Sequence, residues 1–273
     1  GVKVRLRDLT NIKEVREAID DDTCCVFLEI LTNPQLEVAD LKAISEVAHE
    51  KNVPLVVDST VIPFTQFSAK SLGVDIEVVS SSKYVSGGAT SLGGLVIDYG
   101  TPYNGDFAKR LYGEMLFNFG AYMTPQVAYM QTIGLETLDA RYRVQSGNAL
   151  ELAKKLRTLP QIQYVNYVGL EDNPYHELAQ RQFGKTAGAM ICIDLESKEA
   201  CFSFLNNLKL IHRATNLFDN RSLAIHPAST IFGAFSENMR KSMDVKDTTI
   251  RLSVGLEDVD DLFEDIKQAV DNL

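Results

Sequence analysis

The feature that most constrains this chain is a series of short apolar runs, each ending in polar residues and separated by helical spacing. Cys24-Cys25-Val26-Phe27-Leu28-Glu29-Ile30 comes first and is closed by the turn pair Asn33-Pro34. Val38, Leu41, Ile44, Val47 and Ala48 then recur every three or four residues, as one face of a helix does. That helix should stop at Lys51-Asn52-Val53-Pro54, because the residue before a proline is pushed out of the α region. Leu55-Val56-Val57-Asp58 reads as a second strand and Ile76-Glu77-Val78-Val79-Ser80 as a third. Leu95-Val96-Ile97-Asp98 closes a glycine-rich stretch and reads as a fourth. Runs that are apolar along their whole length are buried on both faces. With helices between them they imply an α/β fold with a largely parallel sheet.

The second half alternates differently. Residues 124–159 read as long and helical, with Met130, Ile133 and Leu135 on the first part and Ala149, Leu152, Ala153 and Leu156 continuing the pattern. Gly188-Ala189-Met190-Ile191-Cys192-Ile193-Asp194 reads as a strand, residues 200–210 as a helix, and Ile250-Arg251-Leu252-Ser253-Val254 as a last strand. Leu262, Ile266 and Val270 mark the core face of a C-terminal helix. A boundary near residues 135–141 would divide the chain into a large domain, 1–138, and a smaller α/β domain, 139–273.

Composition enters here to exclude classes. At 45% hydrophobic and 23% charged, the 273 residues can bury a sizeable core. The net charge of −10 argues against nucleic acid and anionic membrane surfaces, whose binders present clustered lysine and arginine. No apolar stretch approaches the roughly 20 residues that cross a bilayer. Cys24, Cys25, Cys192 and Cys201 show no metal-type spacing and read as small buried residues in a reducing cytoplasm.

Two strand ends carry candidate chemistry. Lys83 follows the third strand, with Ser80-Ser81-Ser82 before it and Gly87-Gly88 after it. A lysine at a strand end is most often an ordinary surface residue. It is also an amine placed where α/β sheets bind ligands. Hydroxyls and free backbone N–H groups there suit a phosphate, and an amine that loses its proton in a dry pocket attacks carbonyls to form a Schiff base. Asp58 ends the second strand. Followed by Ser59-Thr60 it is a natural turn cap, and equally a carboxylate able to pair with a protonated pyridine nitrogen. Both residues end strands of one sheet and can face one crevice.

The series Phe27-Leu28-Glu29-Ile30-Leu31-Thr32-Asn33-Pro34, Val56-Val57-Asp58-Ser59-Thr60 and Ser80-Ser81-Ser82-Lys83-Tyr84 resembles the Cys/Met-metabolism family of pyridoxal 5'-phosphate (PLP) enzymes. The likeness continues through Gly134-Leu135-Glu136-Thr137-Leu138 and from Ser222 to Thr230, and ends at Arg251-Leu252-Ser253-Val254-Gly255-Leu256-Glu257. It implies a PLP-dependent transferase of fold type I. Lys83 matches the lysine that carries PLP and moves protons between substrate carbons. Asp58 matches the partner of the pyridine nitrogen, Asn33 the residue near the ring's phenolic oxygen, and Ser80 and Ser82 the hydroxyls on the phosphate. Thr60 is carried over with the same strand end. Arg251 matches the arginine that grips the substrate α-carboxylate, and Ser222 lies in the segment that helps place it. At the second phosphate hydroxyl the family usually has threonine, so Ser82 keeps a donor there.

The resemblance also implies a cytoplasmic homotetramer built from dimers, with an amino acid and sulfide or a thiol as substrates. Phe117-Asn118-Phe119-Gly120-Ala121-Tyr122-Met123 and Asn216-Leu217-Phe218-Asp219-Asn220-Arg221 look most like sulfhydrylases, which convert O-acetyl-L-homoserine to homocysteine or methionine. The other readings are γ-elimination from methionine or cystathionine, cystathionine γ-synthesis, and a non-catalytic fragment. The last arises because Gly1-Val2-Lys3 matches the middle of the family's large domain. The family's phosphate loop, its ring-stacking tyrosine and its reach to the neighbouring subunit have no counterpart here, so this chain alone is expected to bind PLP poorly and to expose apolar surface. His226 reads as structural and His49 as solvated. The acidic stretch Glu257-Asp258-Val259-Asp260-Asp261 reads as charge at a helix start rather than a metal loop.

Overall fold

The computed structural model describes residues 1–100 and 107–273. The first half runs α1 (Ile12–Ala18), β1 (Val26–Glu29), α2 (Leu41–His49), β2 (Leu55–Asp58), β3 (Ile76–Val79) and β4 (Leu95–Asp98). A helical stretch follows, with α3 (Phe107–Arg110), α4 (Phe117–Phe119), α5 (Pro125–Glu136) and α6 (Leu138–Leu156). Next come β5 (Tyr164–Asn166), α7 (His176–Phe183), β6 (Met190–Asp194), α8 (Lys198–Asn207), β7 (His212–Arg213) and β8 (Leu223–Ile225). The chain closes with α9 (Glu237–Ser242), β9 (Thr249–Ser253) and α10 (Val259–Val270).

Two sheets result. The first has the order β1-β2-β3-β4, with β1, β2 and β3 parallel and β4 antiparallel to β3. The mixed α/β architecture with a mainly parallel first sheet is the one the apolar runs imply. Its register sets Glu29 opposite Asp58, so two carboxylates end neighbouring strands at one level. The second sheet has the order β5-β6-β9-β8-β7 and is antiparallel apart from the β7–β8 pair. One apolar core joins residues of both halves, including Leu28, Val57, Tyr142, Leu152, Ile191 and Ile266. Each such side chain contributes about 1.5–3 kcal/mol through burial.

Local sequence explains the helix limits. Asp40 caps α2 by accepting the Ala43 N–H at 3.1 Å, and Asn52 at φ +55° turns the chain out of it before Pro54. Asp258 caps α10 by accepting the N–H groups of Asp260 and Asp261, so the acidic stretch is a helix start, as its position suggests. The helix expected over 200–210 begins at Lys198 and ends at Asn207. Ser197 caps its start, and the Asp265 carboxylate takes the N–H groups of Lys209, Leu210 and Ile211, each at 2.9 Å, drawing them away from helical bonding. No helix among the described residues is long and apolar enough to cross a membrane.

Four expectations need correction. The long helix of 124–159 is broken at Thr137, where φ is −111° and ψ is 1°. On α5, Met130, Ile133 and Leu135 are exposed, and the buried residues are Gln131 and Gly134. The reason is close packing against the turn after Lys83. A Cβ at Gly134 would stand 2.1 Å from the Val85 carbonyl oxygen, so only glycine allows this approach. Cys24 and Cys25 are exposed, while Cys192 and Cys201 are buried; the first pair lies just before β1, outside the run that packs into the core. His49 is not free in solvent: its Nε2 lies 2.8 Å from Asp75 Oδ2, a buried carboxylate that also accepts the Leu55 N–H at 2.7 Å. His226, by contrast, is structural as expected. It is buried, with Nδ1 2.8 Å from Ser229 Oγ and Nε2 2.8 Å from the Asp247 carbonyl oxygen.

Candidate active site

The ends of β2 and β3 are tied together by Thr60. Its backbone N–H donates to Asp58 Oδ1 at 2.9 Å, and its Oγ1 accepts the Ser80 N–H at 2.8 Å. The turn-capping role open to Asp58 is therefore met by one oxygen, and Oδ2 has no hydrogen bond among the described residues. Beyond Ser80 the chain makes a tight turn, with the Lys83 N–H donating to the Ser80 carbonyl at 3.2 Å and the Ser86 N–H to the Lys83 carbonyl at 3.2 Å. Ser82 Oγ donates to the Gly93 carbonyl at 3.2 Å and accepts the Gly93 N–H at 2.9 Å. Gly93 packs closely here: a Cβ would lie 2.3 Å from Gln131 Nε2 and 2.7 Å from Ser81 Oγ, so a larger residue would push those side-chain ends aside. Those two buried atoms have no partner among the described residues.

Lys83 is half-buried, and its Nζ donates to Asn216 Oδ1. Burial, and secondarily the Arg251 guanidinium, push its pKa below the ordinary lysine value. Arg251 sits within β9 and is 1% exposed. Its Nη1 donates to Asn33 Oδ1 at 3.1 Å, and its Nη2 to the carbonyls of Thr215 at 3.1 Å and Asn216 at 3.0 Å, while Nε has no partner. Burial pulls its pKa down to about 10, opposed by Cys192 and Glu29, and it stays a cation at neutral pH. The Asn33 N–H donates to Glu29 Oε2 at 3.0 Å. Burial raises the Glu29 pKa, the Asn33 bond opposes that rise, and the Asp58 charge adds to it.

Lys83, Arg251 and Asn33 are thus joined into one cluster, and Thr60 links the strand ends that carry Asp58 and Ser80. Ser222 stands apart: its Oγ donates to Glu257 Oε2 at 2.8 Å and accepts the Gly255 N–H at 2.8 Å, so its hydroxyl fastens the turn after β9. Two members were missed by sequence reasoning. Glu29 was legible as the one carboxylate inside the first apolar run. Asn216 gave no sign beyond its motif, since its contact with Lys83 spans 133 residues.

These residues fit an aldehyde cofactor bearing a phosphate and a basic ring nitrogen. The amine gives up its proton more readily than an ordinary lysine, one carboxylate oxygen is open at a strand end, and a buried guanidinium keeps an orphan Nε. The fold and site therefore define an α/β enzyme built around a lysine at the carboxyl end of its sheet. Residues 1–271 match the family described as Cys/Met metabolism PLP-dependent enzyme, and the chain belongs to that family. It is 37% identical to the L-methionine gamma-lyase of Fusobacterium nucleatum subsp. polymorphum, over all of this chain and 68% of that protein. A putative O-acetylhomoserine (thiol)-lyase of Campylobacter jejuni, solved with N'-pyridoxyl-lysine-5'-monophosphate, superposes with a TM-score of 0.92 at 34% identity, covering 97% of this chain and 70% of that one. The O-acetylhomoserine sulfhydrylase of Wolinella succinogenes gives a TM-score of 0.84 at 42% identity, covering 98% and 77%. The protein is a PLP-dependent enzyme with relatives of both lyase and sulfhydrylase type.

Proposed function

We propose that the protein exchanges the γ-substituent of O-acetyl-L-homoserine for sulfide or a thiol, giving L-homocysteine or methionine and acetate. The observation that carries this reading is the joining of Lys83, Asn33 and the buried Arg251 into one cluster at the strand ends that carry Asp58. The 42% identity with the Wolinella succinogenes sulfhydrylase supports the choice of reaction. In this reading residues 1–138 hold the cofactor and residues 139–273 hold the substrate carboxylate.

When bound, PLP supplies an electron sink that stabilises negative charge on the substrate carbons. Lys83 would hold the cofactor through Nζ; once the substrate amine has displaced it, the freed amine would take the proton from the substrate α-carbon, a task suited to an amine whose pKa lies below its ordinary value. The same Nζ moves a proton at the neighbouring carbon as acetate departs. Asp58, with its open oxygen, would hold the pyridine nitrogen in its protonated form. Asn33 would serve the ring's phenolic oxygen, and Ser80, Ser82 and Thr60 the phosphate. Arg251 would take the α-carboxylate, with its unpartnered Nε as the donor left open, and Ser222 keeps the adjoining turn in place. The homotetramer expected for the family is supported by the exposed apolar side chains of Phe117, Phe119, Tyr122, Tyr129, Met130 and Ile133, which call for a covering surface.

A second reading, γ-elimination, is favoured by the 37% identity with L-methionine gamma-lyase. The PLP-loaded protein given O-acetylhomoserine with sulfide, and in a parallel assay methionine alone, separates the two. Homocysteine and acetate are expected; a 2-oxo acid and ammonia from methionine, without homocysteine formation, would replace this reading with elimination.

A further inference from the structure

Phe218 is fully buried and has φ +58°, the left-handed region that bulky side chains avoid. Such a conformation persists only where its surroundings hold it. Here the two groups that touch Phe218 are sequence neighbours of candidate-site residues. The Phe218 N–H donates to Ser253 Oγ at 2.6 Å, and Ser253 lies two residues beyond Arg251 on β9. Just upstream, the carbonyls of Thr215 and Asn216 accept from Arg251, and the Asn216 side chain accepts from Lys83. The Phe218 ring stacks on Tyr84, with centroids 4.3 Å apart and planes 13° from parallel. Tyr84 directly follows Lys83 and is otherwise gripped by Arg141 Nη2, which donates to its carbonyl at 2.8 Å, and by the edge of Tyr142.

Residues 215–218 therefore bridge two functional groups that no strand pairing connects. One side of the bridge is fastened to β9 at residues 251 and 253, the other to Lys83 directly and to Tyr84 through the Phe218 ring. A glycine would relieve the backbone conformation at 218 and would remove the ring that reaches Tyr84.

We propose that Phe218 is a positioning residue: through Tyr84 it fixes the Lys83 amine relative to the Arg251 guanidinium, and so relative to the α-carbon of an amino acid held by its carboxylate. This rests on the reading of Lys83 and Arg251 given above. Reaction rates are sensitive to such placement, because an error of about 1 Å costs up to roughly 100-fold. Arg251 is held by its place in β9 and by Asn33 without the ring, so the effect is expected in turnover more than in substrate binding.

The test compares the PLP-loaded protein with its Phe218→Leu and Ser253→Ala variants. Borohydride reduction and peptide mapping are done first on the unaltered protein. Label on a lysine other than Lys83 overturns the site reading, and this inference with it. With label on Lys83, Phe218→Leu is expected to lower kcat about 10-fold with KM for the amino acid held within about 3-fold, the split that misplacement of one reacting group produces. The visible circular-dichroism band of the bound cofactor, which reports its orientation, is expected to change in amplitude. Ser253→Ala removes the acceptor of the Phe218 N–H without emptying the core; it should move both readouts the same way and decides the matter if the leucine variant does not fold. A folded, PLP-loaded variant with a lower melting temperature but unaltered kcat and dichroism would reduce Phe218 to a packing residue and overturn the proposal.

Discussion

The two sheets contribute to the site in opposite ways. In the first, β1, β2 and β3 run parallel, so their carboxyl ends reach one edge together and deliver Glu29, Asp58 and the Ser80–Lys83 turn side by side. In the second, neighbouring strands mostly run antiparallel, so successive strand ends point to opposite edges. That sheet offers the cluster one side chain, Arg251, from the interior of a strand, and must bury a guanidinium to do so. Parallel strands gather polar groups at a wet edge without desolvating them fully. An antiparallel sheet places a single charge rigidly, and that charge has to be satisfied by carbonyls and Asn33.

The largest effect should come from the parallel edge. Lys83→Ala is expected to lower turnover by roughly 1,000-fold, since proton transfer by a positioned group contributes about 100- to 10,000-fold, and steady-state assays check it. Asp58→Asn should lower kcat by about 100-fold and weaken retention of PLP on dialysis, because a neutral amide no longer holds the ring nitrogen protonated. From the antiparallel sheet, Arg251→Leu should raise KM for the amino acid by roughly 10- to 100-fold, the worth of a charged hydrogen-bonded pair, with a smaller change in kcat. An Arg251→Leu variant that lost kcat with KM intact would break the division between the two sheets. Gly134→Ala, which touches neither ligand, should cost about 1–3 kcal/mol of stability by pressing on the turn after Lys83, read as a fall in melting temperature.

The smallest effect concerns pH. The folded state holds Lys83 below its ordinary pKa of 10.5, so between the two pKa values the unfolded chain binds more protons and stability rises with pH. At neutral pH the burial of this ammonium is a penalty. Cofactor-free Lys83→Met should therefore resist urea better than the parent protein at pH 7, with the gain shrinking toward pH 10. A gain that stayed constant across that range would contradict the depressed pKa.

Much of the first sheet was legible because its strands are continuous apolar runs, and Asp58 and Lys83 stood out by ending them. Arg251 was legible only by resemblance. Inside the run Ile250–Val254 nothing local distinguishes a substrate-binding arginine from a strand residue facing water. The packing face of α5 was not legible, because Gly134 and Gln131, neither of them apolar, make the buried contacts. The pairing of Lys83 with Asn216 and the stacking of Tyr84 on Phe218 join residues more than 130 positions apart, and no periodicity records such contacts.

Borohydride reduction of the PLP-loaded protein, followed by peptide mapping, tests the central claim most directly. The account predicts a pyridoxyl group on Lys83, in the turn at the carboxyl edge of the parallel sheet, and loss of that label in Lys83→Ala. A label on any other lysine, or a Lys83→Ala variant that keeps its visible absorption and its label, would contradict it.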